Sequence, residues 1–363
     1  MLKPKEQFHG SDLEKIEQFY AIKKEEITSF SANVNPLGIS FQLKETLASH
    51  IDAITSYPDR EYTSLRTSIA SYVGVNIDRI LVGNGSTELI SLFIQFIHPK
   101  DALIVSPTYS EYEREIALEE GHCHYFELKE IEDFTFNLGR FSNELLPQTD
   151  LVIICNPNNP TSSHITSRDM ASILKLCKQN NTFVLVDETY VEFTKDINDI
   201  TAIPLTNQYD NLIVLRGISK FFAAPGLRLG YAICGNQELL TNVNEKKNPW
   251  TINSLASIAG EIMFKDTNYI KDTKELIFEE RKRVCTILKE SKTFKVYEPS
   301  ANFVLLRILR KHLTASDVFD SCIQKGLMIR DCSTFPFLDS TYIRFCFMNR
   351  EKNDELLEVL MNL

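Results

Sequence analysis

From about residue 62 to 234 the chain alternates two patterns. In one, apolar residues recur every three or four positions; in the other, they form short, nearly unbroken runs rich in β-branched side chains. The first pattern gathers apolar side chains on one helix face, and the second suits strands buried on both sides. "YTSLRTSIASYV", "STELISLFIQFI", "YSEYEREIALEE" and "SRDMASILKLCKQ" are therefore predicted helices, and "RILVG", "ALIVS", "HYFEL", "DLVIICNP", "FVLVDE", "NLIVLRG" and "LGYAIC" predicted strands. Seven apolar strands separated by helices imply the α/β class: a mostly parallel seven-stranded sheet flanked by helices. After "NPW" (248–250) the pattern changes to long helices, "SLASIAGEIMF" and "KELIFEERKRVCTILKE". Short strands "FVLLRI", "LMIRD" and "YIRFCF" follow, with two further helices, as in a smaller α+β unit. We expect a large unit over residues 40–248 and a small one formed by 249–363 with 1–39, "FSANVNPLG" lying between them at the cleft.

The 363 residues suit one large or two modest domains, and no apolar stretch approaches the roughly 18 residues of a membrane helix. The start, "MLKPKEQFHG", lacks the apolar segment of a secretory leader, so a cytoplasmic location is expected. A net charge of −10, with no basic stripe, argues against the electrostatic grip of a nucleic-acid binder, while small anionic ligands need only local positive charge. Eight cysteines without C-x-x-C spacing, several inside apolar runs, read as buried reduced thiols. His122 and His124 in "GHCHY" can share one strand face but have no neighbouring carboxylate or thiol cluster, so no metal is expected.

Chemistry-bearing residues recur where strands end, the place at which open α/β sheets bind ligands. In "VGNGSTELI" two glycines bracket Asn84 before a helix begins at Ser86-Thr87, and the free N–H groups there form a cup for phosphate or an ordinary capped turn. "VDETY" brings Asp187 and Tyr190 to the same edge, and "CNPNNPT" brings Asn159. "RGISKFFAAPGLRLGY" adds Ser219, Lys220 and, eight positions on, Arg228. Each has a structural alternative as a cap or surface charge; convergence of four such clusters favours a site.

The ordered motifs G-N-G-S-T-E, P-T-Y, N-P-N-N-P-T, D-E-x-Y and S-K-F-F-x-x-P-G-L-R-L-G-Y, over about residues 30–347, resemble fold-type I pyridoxal 5'-phosphate enzymes of the aminotransferase class I/II family. The resemblance implies that Lys220 is the covalent anchor of the cofactor aldehyde and moves protons at the substrate Cα. It implies that Asp187 faces the pyridine nitrogen, that Tyr190 and Asn159 bond the ring's phenolic oxygen, and that Tyr109 stacks on the ring. Backbone groups of Gly85, Ser86 and Thr87, with Ser219 and Arg228, would hold the cofactor phosphate. Tyr57 in "SYPDREY" matches a tyrosine that reaches the phosphate of the neighbouring subunit, which implies a homodimer with shared sites. Arg344 in "TYIRFCF" matches the arginine that binds the substrate α-carboxylate. Gly217 stands where many members have serine, and Ser162 where glycine is usual; the first should shift phosphate contact onto Ser219 and the second alter its loop only slightly.

"FSANVNPLG", "FHG", "SEYE" and "NPWTINSLA" are more similar to L-threonine O-3-phosphate decarboxylases than to histidinol-phosphate aminotransferases, although His9-Gly10-Ser11 replaces the usual His-Gly-Gly. Both groups act on phosphorylated substrates, so a second phosphate site is expected around His9, the Ser31 to Asn35 segment and Arg330. The leading expectation is decarboxylation of threonine phosphate or serine phosphate to the amine phosphate. Transamination of the histidinol-phosphate type with 2-oxoglutarate or glutamate is the alternative, and a non-catalytic cofactor-binding module a third.

Overall fold

The computed structural model describes residues 12–363. The chain opens with α1 (Leu13–Tyr20), β1 (Thr28–Ser29), α2 (Phe41–Ser49) and α3 (Thr63–Val73). It continues through β2 (Ile80–Gly83), α4 (Gly85–Ile97), β3 (Asp101–Ser106), α5 (Glu111–Leu118), β4 (His122–Glu127), α6 (Leu138–Glu144), β5 (Leu151–Cys155), α7 (Ser167–Gln179), β6 (Phe183–Asp187), β7 (Leu212–Gly217) and β8 (Gly230–Cys234). Helices α8 (Gln237–Lys246), α9 (Ser254–Met263) and α10 (Thr267–Lys289) lead to β9 (Phe294–Val296), β10 (Phe303–Ile308), α11 (Ala315–Ile323), β11 (Leu327–Met328), β12 (Arg330–Asp331), β13 (Tyr342–Cys346) and α12 (Arg350–Met361).

The expected seven-stranded sheet is present in the order β2-β8-β7-β6-β5-β3-β4, with β8 alone antiparallel to both of its neighbours. Its strands alternate between two apolar faces, as a pleat requires. Ile153, Leu185, Ile213 and Leu215 pack with Leu89, Ile90 and Phe93 of α4. Val152, Ile154, Val184, Val186 and Val214 pack on the other face with Met170, Ile173, Leu174 and Cys177 of α7. Those four α7 residues fall at i, i+3, i+4 and i+7, and the helix begins where the Thr166 hydroxyl accepts from Asp169 N at 3.2 Å. Burying each large apolar side chain there stabilises the fold by roughly 1.5–3 kcal/mol.

A second, antiparallel sheet runs β12-β13-β10-β9, and β1 pairs in parallel with β11. Elements α1, β1, α2, α6, α8 and β9 are additional to the pattern reading, and two predicted elements differ from it. "LMIRD" is two strands, since residues 327–328 pair with the N-terminal segment and 330–331 with β13, and the chain changes partner between them. Helix α10 starts seven residues before the expected "KELIF", because Asp266 caps it by accepting from Tyr269 N at 3.1 Å and its first turns bury Tyr269 and Thr273. All eight cysteines are free, seven buried and Cys123 half-buried. Among the described residues no helix is long and apolar enough to cross a membrane.

Candidate active site

The carboxyl ends of β2, β3, β5, β6 and β7 open into one cavity of about 660 Å³, whose outer wall comes from α1, the 31–33 segment, β12 and β13. Lys15, Lys220, Arg228, Arg330 and Arg344 line it, against two acids, Asp12 and Asp187. A chain of net charge −10 therefore carries a locally cationic pocket, suited to a ligand bearing several negative groups.

Asp187 ends β6 and is buried. Tyr112 Oη donates to its Oδ2 at 2.7 Å, while Thr189 N and Oγ1 donate to Oδ1 at 2.9 and 2.5 Å. The carboxylate is thus fixed from both sides, one edge facing the cavity. Lys220 follows β7, and its Nζ donates to Ala32 O at 2.7 Å. Burial, reinforced by the nearby Arg344 and Arg228 charges, lowers its amine to about 8. Such an amine is far more often unprotonated, and so nucleophilic, than a surface lysine.

At the start of α4, Gly85 has φ +79°, and a Cβ on it would lie 2.6 Å from Arg228 Nη2; only glycine lets that guanidinium close on the helix N-terminus. A Cβ on Gly230 would meet Ser86 N at 2.4 Å, so β8 also needs glycine to pass behind the cup. Gly217 is not under such pressure: its added Cβ would stand 3.6 Å from the hydroxyls of both Ser86 and Ser219. Those two hydroxyls flank the gap, and Ser86, Thr87, Ser219 and Arg228 all line the cavity. The helix N-terminus, the hydroxyls and the arginine make a donor set for phosphate.

Tyr109 lines the cavity and packs edge-on against Tyr112, ring centroids 5.6 Å apart. Burial pushes its phenol up to about 12 and does the same, more strongly, to Tyr190. Arg344, buried in β13, donates to Asn159 Oδ1 and, through Nη2, to Ser31 O at 2.7 Å. The antiparallel register sets Arg330 directly opposite Arg344, and Arg330 Nη2 donates to Thr334 Oγ1 at 2.8 Å. Two guanidinium groups held side by side are unfavourable unless an anion shares them.

Four buried polar atoms of cavity-lining residues have no hydrogen-bond partner among the described residues: Ser31 Oγ, Asn33 Oδ1, Thr108 Oγ1 and Arg344 Nε. Buried groups of this kind are costly and belong where a ligand supplies the missing partner. Together with a low-pKa amine, a fixed carboxylate and a phosphate cup, they fit a phosphorylated pyridine aldehyde and an anionic substrate.

Most of the sequence-nominated residues converge here. Asn35 does not: its amide donates to Phe221 O, Tyr269 Oη and Thr273 Oγ1 at 2.8–2.9 Å, so it ties the N-terminal segment to α10 instead of lining the cavity. Tyr57 is 81% exposed and stands outside its own chain's cavity, its ring 4.9 Å from that of Trp250. His9 lies outside the described residues. Ser162 takes the left-handed backbone usual for glycine, with φ +60°, and its hydroxyl accepts from Ala301 N at 2.9 Å. The sequence reading missed Tyr112, Thr189, Asp12 and Lys15. The first two were legible as polar side chains three and two positions from Tyr109 and Asp187; the other two depend on where α1 docks.

Residues 25–360 match the family model for aminotransferase class I and II. The chain belongs to that family. A protein of Caldanaerobacter subterraneus subsp. tengcongensis, provisionally named threonine-phosphate decarboxylase, is 37% identical over 92% of this chain and 89% of its own length. The threonine-phosphate decarboxylase of Salmonella typhimurium is 31% identical over 98% of this chain and 96% of its own. Among solved structures, the histidinol-phosphate aminotransferase of Clostridium acetobutylicum superposes with a TM-score of 0.85 at 33% identity, covering 92% of this chain and 98% of that one.

Proposed function

We propose that this protein is a pyridoxal-phosphate-dependent carboxy-lyase that converts an O-phosphorylated hydroxy-amino acid, L-threonine O-3-phosphate or L-serine phosphate, to the amine phosphate and CO₂. The observation that carries the reading is the pairing of Lys220 and Asp187 with two separate cationic groups, Arg228 beside the α4 N-terminus and Arg330 with Arg344 across the cavity. The first group suits a cofactor phosphate; the second suits a substrate with both a carboxylate and a phosphate. The two decarboxylase relatives support the reaction type.

When bound, the cofactor supplies a ring that accepts the electron pair released as a bond at the substrate Cα breaks. Asp187, fixed by Tyr112 and Thr189, would hold a proton at the ring nitrogen, and Tyr190 and Asn159 would bond the phenolic oxygen. Ser86, Thr87, Ser219 and Arg228, with the Gly85 backbone, hold the phosphate. Arg344 would bind and orient the substrate α-carboxylate. Arg330, with Thr334 and Lys15, receives the side-chain phosphate. Lys220 would anchor the cofactor aldehyde, and its Nζ would supply the proton that the substrate Cα takes up in place of CO₂.

On this reading residues 40–248 form the cofactor-binding unit, and 249–363 with the segment before residue 40 form the unit that completes the site. The active species is a cytoplasmic homodimer in which Tyr57 crosses to the partner's cofactor phosphate; the exposure of Tyr57 outside its own cavity supports that exchange. Transamination of the histidinol-phosphate type is the second reading, favoured by the aminotransferase superposition. Purified protein given threonine phosphate or serine phosphate without any keto acid distinguishes the two. CO₂ and amine phosphate are expected; turnover that requires 2-oxoglutarate and releases no CO₂ would establish the second.

A further inference from the structure

The segment 30–33 crosses the cavity as a strap fixed by its main chain. Cys346 N donates to Phe30 O at 2.8 Å, Arg344 Nη2 to Ser31 O at 2.7 Å, Lys220 Nζ to Ala32 O at 2.7 Å and Asn302 Nδ2 to Asn33 O at 2.9 Å. With four successive carbonyls engaged, the strap's side chains are left for other work. Asn33 is 1% exposed and lines the cavity at φ +56°, a left-handed conformation that asparagine, aspartate and glycine tolerate best. Its Nδ2 donates to Tyr190 Oη at 3.4 Å, and its Oδ1 has no partner among the described residues.

A phenol has one proton to give and two lone pairs with which to accept. When Asn33 fills a lone pair of Tyr190, the phenol proton must be directed elsewhere. Burial keeps that proton on the oxygen, and the ring is held edge-on against Phe303 at 4.9 Å, so the remaining direction is the cavity. We propose that Asn33 is a positioning residue that fixes Tyr190 as a hydrogen-bond donor toward the ligand and strengthens that donation by polarising the phenol. The inference rests on the cofactor reading above, in which Tyr190 meets the phenolic oxygen.

A proton donated to that oxygen competes with the one held at the Lys220 nitrogen, so weaker donation raises the pH midpoint of the loaded enzyme's visible band. The test uses Asn33→Gly, which removes the donor without straining the backbone, and Asn33→Asp, whose carboxylate can only accept and draws the Tyr190 proton away. Band titration without substrate should give midpoints higher by roughly half a pH unit for N33G and by about one unit or more for N33D. In a Tyr190→Phe background the N33G shift should vanish, because the effect passes through the phenol, and the N33D shift should shrink to the part its added charge exerts directly. Melting of the cofactor-free variants reports folding separately, and N33D, close in shape to the native residue, keeps the cycle readable if N33G melts early. Unmoved midpoints, or an N33G or N33D shift of undiminished size in the Y190F background, would overturn the proposal. A wild-type protein that takes up no cofactor and shows no band would instead overturn the reading beneath it.

Discussion

Behind the cavity, Arg216 of β7 is buried between two buried glutamates, Glu188 and Glu192. Glu188 accepts from Arg216 Nε and Nη2 at 3.0 and 2.8 Å, from Thr201 Oγ1 at 2.9 Å and from Ala202 N at 2.5 Å. Glu192 has only a 3.7 Å approach to Nη1, and its Oε2 has no partner among the described residues. One guanidinium cannot neutralise two carboxylates here, and Glu188 has the better claim. Burial, aided by the Glu188 charge and opposed by Arg216, pushes the Glu192 carboxyl from 4.5 up to about 7. Between these values the folded chain keeps a proton that the unfolded chain has released, so stability falls as pH rises through the window and levels off above about 7. The shift corresponds to roughly 3 kcal/mol. Glu192→Gln preserves the neutral shape and cannot ionise, so it should match wild type near pH 4.5 and gain on it up to pH 8. For a chain this long that is an advantage of about 4 °C in Tm at pH 8. Melting curves of the cofactor-free proteins across that range are the assay. If E192Q is equally destabilised at both ends, Glu192 is a charged partner of Arg216, whose removal strands the guanidinium, and the reasoning is wrong.

Other outcomes are expected at the cavity. Trapping of pyridoxal phosphate on the cofactor-free protein by borohydride should rise with pH to a half-maximum near 8, the lowered value of Lys220, rather than near 10.5, and should be absent in Lys220→Ala. Gly85→Ala, whose Cβ would meet Arg228 at 2.6 Å, should weaken cofactor binding at least tenfold as read by equilibrium dialysis, with roughly 1 kcal/mol of that from the left-handed backbone. Arg344→Lys should lower kcat/KM by about a hundredfold or more, as truncated buried charge pairs do, while leaving the substrate-free visible band in place. Mixing inactive Tyr57→Ala with inactive Lys220→Ala should restore activity in hybrid dimers; mixtures that stay inactive would speak against shared sites.

The strands of the large sheet were legible because burial on both faces leaves apolar runs that no amphipathic helix would show, and β6 and β7 end where "FVLVD" and "LIVLRG" end. Lys220, Asp187 and Arg228 were legible because they follow such strands. Short edge elements were not. Residues 327–331 divide between two sheets for reasons that lie in their partners, and the polar first turns of α10 are helical because Asp266 caps them and Asn35, just beyond the strap, bonds Tyr269 and Thr273. Asn35 itself was misread for the same reason. A polar residue in a motif reveals its type but not the direction in which it faces, and here that direction is set by a helix more than 230 positions away.

Trp250 is the chain's sole indole, 41% exposed, with Tyr57 beside it and the Arg60 guanidinium 5.7 Å from its ring centroid. Intrinsic fluorescence excited at the red edge therefore reports on this one patch and nothing else in the molecule. Dilution, salt or a crowding agent that uncovers or covers the patch should change emission wavelength without any label, giving a solution readout of association that is independent of catalysis.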